Sequence, residues 1–187
     1  MLKNTESGYG SLHRALHWLM AIMVIGMIGV GIYIHGLDAN NAAEAPIKTQ
    51  LGALHKATGM VILLLVALRA GWVMANPRPG LPDSVPRWQR IIAKATHHGM
   101  YLLMFAMPLS GYVMSSYVLK PVSIYGLFEI PPLFADKNID MAKAVFAVHE
   151  TLAFILLTLI VLHIGVALKH HFIDKDNILM RMLKGDG

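Results

Sequence analysis

HETLAFILLTLIVLH, residues 149–163, is apolar enough to enter a membrane, yet a histidine stands at each end of it. As a helix this stretch separates His149 from His163 by about 21 Å along the axis, with a net rotation of only about 40°. One helix then presents two imidazoles on nearly one face, each close to an edge of a roughly 30 Å hydrocarbon slab. Ionisable groups at membrane depth are costly and normally serve a partner or a function. The two histidines therefore call for partners at two depths.

The rest of the chain has the same character. Of its 187 residues, 56% are hydrophobic and 14% charged, against about a quarter charged in a soluble domain. Four runs approach the ~20 residues that a spanning helix needs: 16–34, 55–74, 95–116 and 145–168. They predict an all-α membrane protein, one domain over residues 1–187 built as a four-transmembrane-helix bundle. The first run opens on His17 and Trp18 and is too long for a cleaved leader, so it reads as the first membrane helix. Helix 2 is expected to begin at His55, after an outer loop over 37–54. The second outer loop, 117–141, is amphipathic and is expected to lie partly on the membrane surface. The tail HHFIDKDNILMRML (170–183) is expected to form a surface helix or cap.

Basic residues orient the bundle. With four spans, both termini and the central loop share a side, and all six arginines (Arg14, Arg69, Arg78, Arg87, Arg90, Arg181) fall there. By the positive-inside rule that side, and both termini, are cytoplasmic. The net charge of +5 thus reflects topology, and a nucleic-acid partner has no support. The outer loops hold Lys48, Lys56, Lys120, Lys137 and Lys143 against Asp38, Glu44, Glu129, Asp136 and Asp140. That balance gives no electrostatic steering by itself.

Depth pairs the histidines. His17 opens helix 1 from the inside and matches His163; His55 opens helix 2 from the outside and matches His149. Two imidazoles facing each other at each of two depths suit two six-coordinate haems stacked across the membrane, a ligation that leaves no open position for oxygen chemistry. The chain has no cysteine, which excludes thioether attachment and iron–sulfur ligation, so axial ligands and packing must hold any haem. A shared zinc site fits poorly, because the pairs are too far apart and lack thiolates. His13, one turn before His17, is a rival ligand. Arg69, fourteen residues after His55, either meets a haem propionate or snorkels to the headgroups. Gly59 offers a close approach to the backbone one turn from His55. Gly26, Gly29 and Gly31 pack either a neighbouring helix or a porphyrin. Arg14, His97, His98, His170 and His171 form an inner-edge cluster of donors; Arg14, His97 and His170 are candidates for binding and protonating a quinone.

The segments LHWLMA (16–21), HKATGM (55–60), HHGMYLLMFAMPLSGY (97–112), HETLAF (149–154) and LHIGVALKHHFIDKDNILMRM (162–182) resemble the bacterial cytochrome b561 family of four-helix dihaem cytochromes. The likeness covers nearly the whole chain. It implies haem ligands on helices 1, 2 and 4, two of them on helix 4, where His17, His55, His149 and His163 stand. It also implies two haem b groups, a bacterial inner-membrane location and exchange of electrons with ubiquinone. Some members look like superoxide oxidases, which would make this chain a superoxide:ubiquinone oxidoreductase. The loop KPVSIYGLFEIPP (120–132) and the tail HHFIDKD (170–176) look more like a branch associated with periplasmic isoprenoid-binding proteins. On that likeness the alternative is a non-catalytic dihaem electron-transfer subunit docking a periplasmic protein.

Overall fold

In the computed structural model the chain is mostly helical, and residues 1–77, 79–80, 82 and 85–185 are described. The elements in order are α1 (Ser11–Gly36), α2 (Glu44–Ala75), α3 (Arg87–Tyr117), the strands β1 (Val122–Ile124) and β2 (Phe128–Ile130), and α4 (Ile139–Lys169). A π-helical turn (His170–Asp174) and the short α5 (Ile178–Leu183) follow. Arg78, one of the orienting arginines, lies outside the described residues. α1, α2 and α4 are each long and apolar enough to cross a membrane. α3 is as long as α4, at 31 residues, but Pro108, Ser110, Ser115 and Ser116 dilute its hydropathy. In its second half Ser115 and Ser116 are buried, while Leu102 and Leu109 are exposed. The same inversion runs round the bundle: Ile22, Leu64 and Val161 are all exposed, as suits a lipid solvent.

Every long helix extends past its apolar run. α2 starts at Glu44 rather than His55, so His55 sits three turns inside the helix and the outer loop shrinks to residues 37–43. Hydropathy misses this extension because residues 44–54 include Glu44, Lys48 and Gln50, which suit a helix standing in water. Pro46 falls in the first turn, where its missing N–H has no intrahelical acceptor to lose. The Glu44 carboxylate ties down the preceding turn, accepting from Asp38 N at 2.7 Å and Asn41 Nδ2 at 3.0 Å. α4 begins at an N-cap: Asn138 Oδ1 accepts from Met141 N at 3.0 Å, an arrangement worth about 1 kcal/mol.

Side by side, α1 packs on α2, α2 on α3 and α3 on α4, while α1 and α4 meet only briefly. The central core draws two buried residues from each long helix: Met20 and Val24, Ile62 and Val66, Leu103 and Met104, Leu156 and Ile160. In each helix these lie between the two levels marked by the histidines. In lipid such a layer is held by close packing rather than by water exclusion; Gly99, whose added Cβ would sit 3.4 Å from Leu159 Cδ1, shows how closely α3 and α4 approach.

The second outer loop forms a hairpin, with Ile124 opposite Phe128 across the turn. Tyr125 and Gly126 take positive φ (50° and 77°), the pairing that matches strand twist in a tight hairpin. Val122 and Ile124 are buried against Ala57 of α2, and the hydroxyls of Thr58 and Tyr125 meet at 2.9 Å. The hairpin thereby closes one side of the bundle's outer end. At the other end the tail folds back as a cap: Arg14 Nη1 donates to Leu183 O (2.7 Å) and Trp18 Nε1 to Met182 O (3.0 Å).

Candidate cofactor sites

His55 on α2 and His149 on α4 face each other at the end of the bundle away from the termini, here called outer. Their ring centroids are 6.4 Å apart. Each ring rests on a glycine of the adjacent helix: a Cβ added to Gly31 would lie 3.3 Å from His55 Cε1, and one added to Gly111 would lie 3.3 Å from His149 Cε1. A cavity of about 840 Å³ opens beside them, lined by all four long helices, within the ~300–1,000 Å³ range of cofactor pockets. Its walls are mostly apolar, including Met27, Met60, Met104 and Met107.

Ser110 Oγ lies 2.8 Å from His149 Nδ1 and 2.8 Å from Met107 O. A carbonyl can only accept, so the hydroxyl donates to Met107 O and accepts from the imidazole N–H. That places the His149 proton on Nδ1 and leaves the Nε2 lone pair free to ligate. His55 Nδ1 is buried without a hydrogen-bond partner.

The inner pair repeats the arrangement. His17 on α1 and His163 on α4 have centroids 6.3 Å apart. Arg69 Nη2 lies 3.2 Å from His17 Nδ1, and its guanidinium carbon lies 5.3 Å from the centre of the Tyr101 ring. Arg69 Nε, Tyr101 Oη and Trp72 Nε1 are all buried without partners, and Arg69 has no carboxylate partner among the described residues. His97, from α3, sets its ring 5.4 Å from that of His163.

These separations fit a metal between the rings. Metal–imidazole bonds are about 2.0–2.1 Å long, and ring centroids 6.3 and 6.4 Å apart leave room for a metal ion between the two rings of each pair. The glycine cradle and the apolar cavity suit a flat apolar group at the outer level. Arg69 and Tyr101 suit an anionic edge at the inner one. A neutral imidazole bound through Nε2 keeps its proton on Nδ1, so Arg69 would then turn from His17 to an acceptor such as a propionate.

The other singled-out residues fall in various places. His13 is buried, stacked on Tyr9 at 4.5 Å with Asn4 Nδ2 3.5 Å from its Nδ1, so the structure pairs His17 rather than His13 with His163. Gly59 lines the outer cavity, but an added Cβ would make ordinary contacts with Pro108 and Met27. Of the α1 glycines, Gly31 meets His55, whereas Gly26 and Gly29 face open space. Among the quinone candidates, His97 sits at the inner pair. Arg14 is bound to the tail at Leu183, and His170 Nδ1 lies 2.6 Å from Asp176 Oδ2. His98 meets the Lys94 carbonyl and His171 stacks edge-on with Phe172. Gly111 and Ser110 contribute to the outer site without having been expected there.

Placement also changes the reading of charge. Lys48, Lys56, Lys120 and Lys143 line the outer cavity together with a single acid, Glu150. Asp38, Glu44, Glu129, Asp136 and Asp140 do not line it. Charges balanced in the sequence are thus unequal along the cavity wall, four lysines to one acid.

The chain is similar to known proteins over nearly its whole length. A family model described as prokaryotic cytochrome b561 matches residues 8–185. "Cytochrome b561 homolog 2" of Escherichia coli (strain K12) is 39% identical, over 96% of this chain and 93% of its own length. "Cytochrome b561 homolog 1" of the same organism is 37% identical, over 90% and 92%. "Probable superoxide oxidase CybB" of Yersinia pestis is 30% identical, over 94% and 95%. With its histidine-bearing apolar helices matched almost end to end, the chain belongs to the prokaryotic cytochrome b561 family.

Proposed function

We propose that this chain passes single electrons across the bacterial inner membrane through two b-type haems, from periplasmic superoxide to ubiquinone at the cytoplasmic face. The observation that carries the reading is the pair of imidazole pairs, 6.4 and 6.3 Å between centroids, held at two depths with an apolar core between them. Family membership supports b-type haem and membrane electron transfer, and the Yersinia relative's name points to superoxide.

In this reading α3 is the fourth span of one domain, and both termini are cytoplasmic. His55 and His149 hold the outer haem, His17 and His163 the inner one. Bis-histidine haem iron supplies reversible one-electron transfer. Arg69 and Tyr101 pair with an inner propionate. The lysines at the outer mouth attract the anionic donor, and attraction of this kind raises encounter rates by about 10–10³. Two superoxide anions each give up one electron and leave as dioxygen. One ubiquinone takes both electrons and two protons from the cytoplasmic side. His97, whose ring lies 5.4 Å from that of His163, is a proton-bearing group at the inner site, and Arg14 and His170 are further candidates.

The direct test supplies purified protein with a superoxide source and a soluble ubiquinone analogue. Quinone reduction well above that of a haem-free control is expected; a rate equal to the control's would overturn the assignment. The cradle makes a separate prediction. Gly111→Leu places a side chain where His149 has 3.3 Å of clearance, and it is expected to remove the outer haem while leaving the inner one. Gly26→Leu, facing open space, should keep both. Haem per chain in the purified variants is the readout.

A further inference from the structure

The two sites differ in what meets the Nδ1 atom of one ligand in each. At His149 it is the Ser110 hydroxyl, itself committed to Met107 O, with both distances 2.8 Å. At His17 it is the guanidinium of Arg69, at 3.2 Å. A hydroxyl that already donates elsewhere can only accept the Nδ1 proton. Withdrawing that proton toward oxygen makes Nε2 a stronger donor to a metal, which favours the more positive, oxidised form. A cation beside the other ligand does the reverse. It favours whichever form carries one charge less, and low-dielectric surroundings strengthen the effect. Arg69 keeps this influence even when it turns to a propionate, because the charge stays at the inner site.

We infer that Ser110 is a positioning residue that fixes His149 in its ligating tautomer and lowers the potential of the outer haem, while Arg69 raises that of the inner haem. This inference rests on the dihaem assignment above. Its consequence is a direction: electrons run downhill from the outer site to the inner one. The lysines of the outer cavity act in the opposite sense, Lys120 and Lys143 from exposed positions where screening is strong, and Lys56 from a half-buried one next to His55. Ser110 acts on the ligand itself.

The test is a redox titration of wild type, Ser110→Ala and Ser110→Thr, with haem counted in each. The outer component is identified as the one missing from Gly111→Leu. Wild type is expected to show the outer midpoint below the inner. Ser110→Ala should keep two haems and shift only the outer midpoint upward, by up to about tenfold in the redox equilibrium, or about 59 mV for one electron. Ser110→Thr, which keeps the hydroxyl, should restore the wild-type value. Two haems with an unmoved or lowered outer midpoint in Ser110→Ala would overturn the role of Ser110. A wild-type outer midpoint above the inner would overturn the direction. A wild-type sample without two haems would instead overturn the dihaem assignment, so the two failures are distinguishable. If Ser110→Ala fails to load the outer haem while Ser110→Thr loads it, the positioning role stands through loss of ligand orientation; loss of it in both overturns the role.

Discussion

His149→Ala and His163→Ala are each expected to lower haem content from two per chain to one, and to remove different haems. Both residues lie on α4, but fourteen residues apart, about 21 Å along a helix. Each has its own partner, His55 at 6.4 Å and His17 at 6.3 Å. Leu156 and Ile160 lie buried between them in the central core, so emptying one site does not reach through to the other. In a chain without cysteine a ligating imidazole would be a haem's main anchor, and its loss would leave only packing and a single ligand. His55→Ala should therefore reproduce His149→Ala, and His17→Ala should reproduce His163→Ala. Pyridine-haem stoichiometry with reduced-minus-oxidised spectra decides it. Removal of the same spectral component by both α4 variants would show that the pairing by depth is wrong. His13→Ala tests the rival ligand: its ring is taken up by Tyr9 and Asn4, and both haems should remain.

The histidine pairing was legible in the sequence because a helix converts spacing into depth and azimuth with little freedom. Fourteen residues fix both for His149 and His163, and hydropathy fixes which end of each neighbouring helix meets them. What stayed hidden depends on which faces meet. Ser110 and Gly111 sit in a run that reads only as a helix weakened by proline and small residues. Nothing in that run says that His149 of α4 lies across from it. Gly31 is one of three glycines on α1 within six residues, and spacing does not separate the one against His55 from the two facing outward. Helix length was hidden for another reason. Apolar runs report where the lipid is, and α2 continues from His55 back to Glu44 through residues that suit water. The hairpin is short and local, yet it is fixed by burial of Val122 and Ile124 against Ala57, a contact no local pattern announces.

Charge shows the same limit most sharply, and it leads to the second large effect. Counted along the chain, the outer loops carry five lysines and five acids. Folded, four of those lysines line the outer cavity with Glu150 as its one acid. A donor that is a small anion should feel this arrangement. The superoxide-dependent rate constant is expected to fall steeply as ionic strength rises, since exposed charges more than about 8 Å apart are largely screened at 0.15 M salt. Lys56→Gln combined with Lys120→Gln should lower that rate constant by about tenfold at low salt, within the range steering supplies, and flatten its salt dependence. Lys137→Gln changes net charge without lining the cavity, so it should leave the rate constant nearly unchanged. Haem content is measured alongside, so that a fall in rate is not mistaken for a lost site. A neutral donor predicts a flat salt curve in wild type. Equal losses from Lys137→Gln and the cavity double variant would mean that net charge, rather than the cavity mouth, attracts the donor. Either result would remove superoxide steering and return the donor question to a docked protein partner.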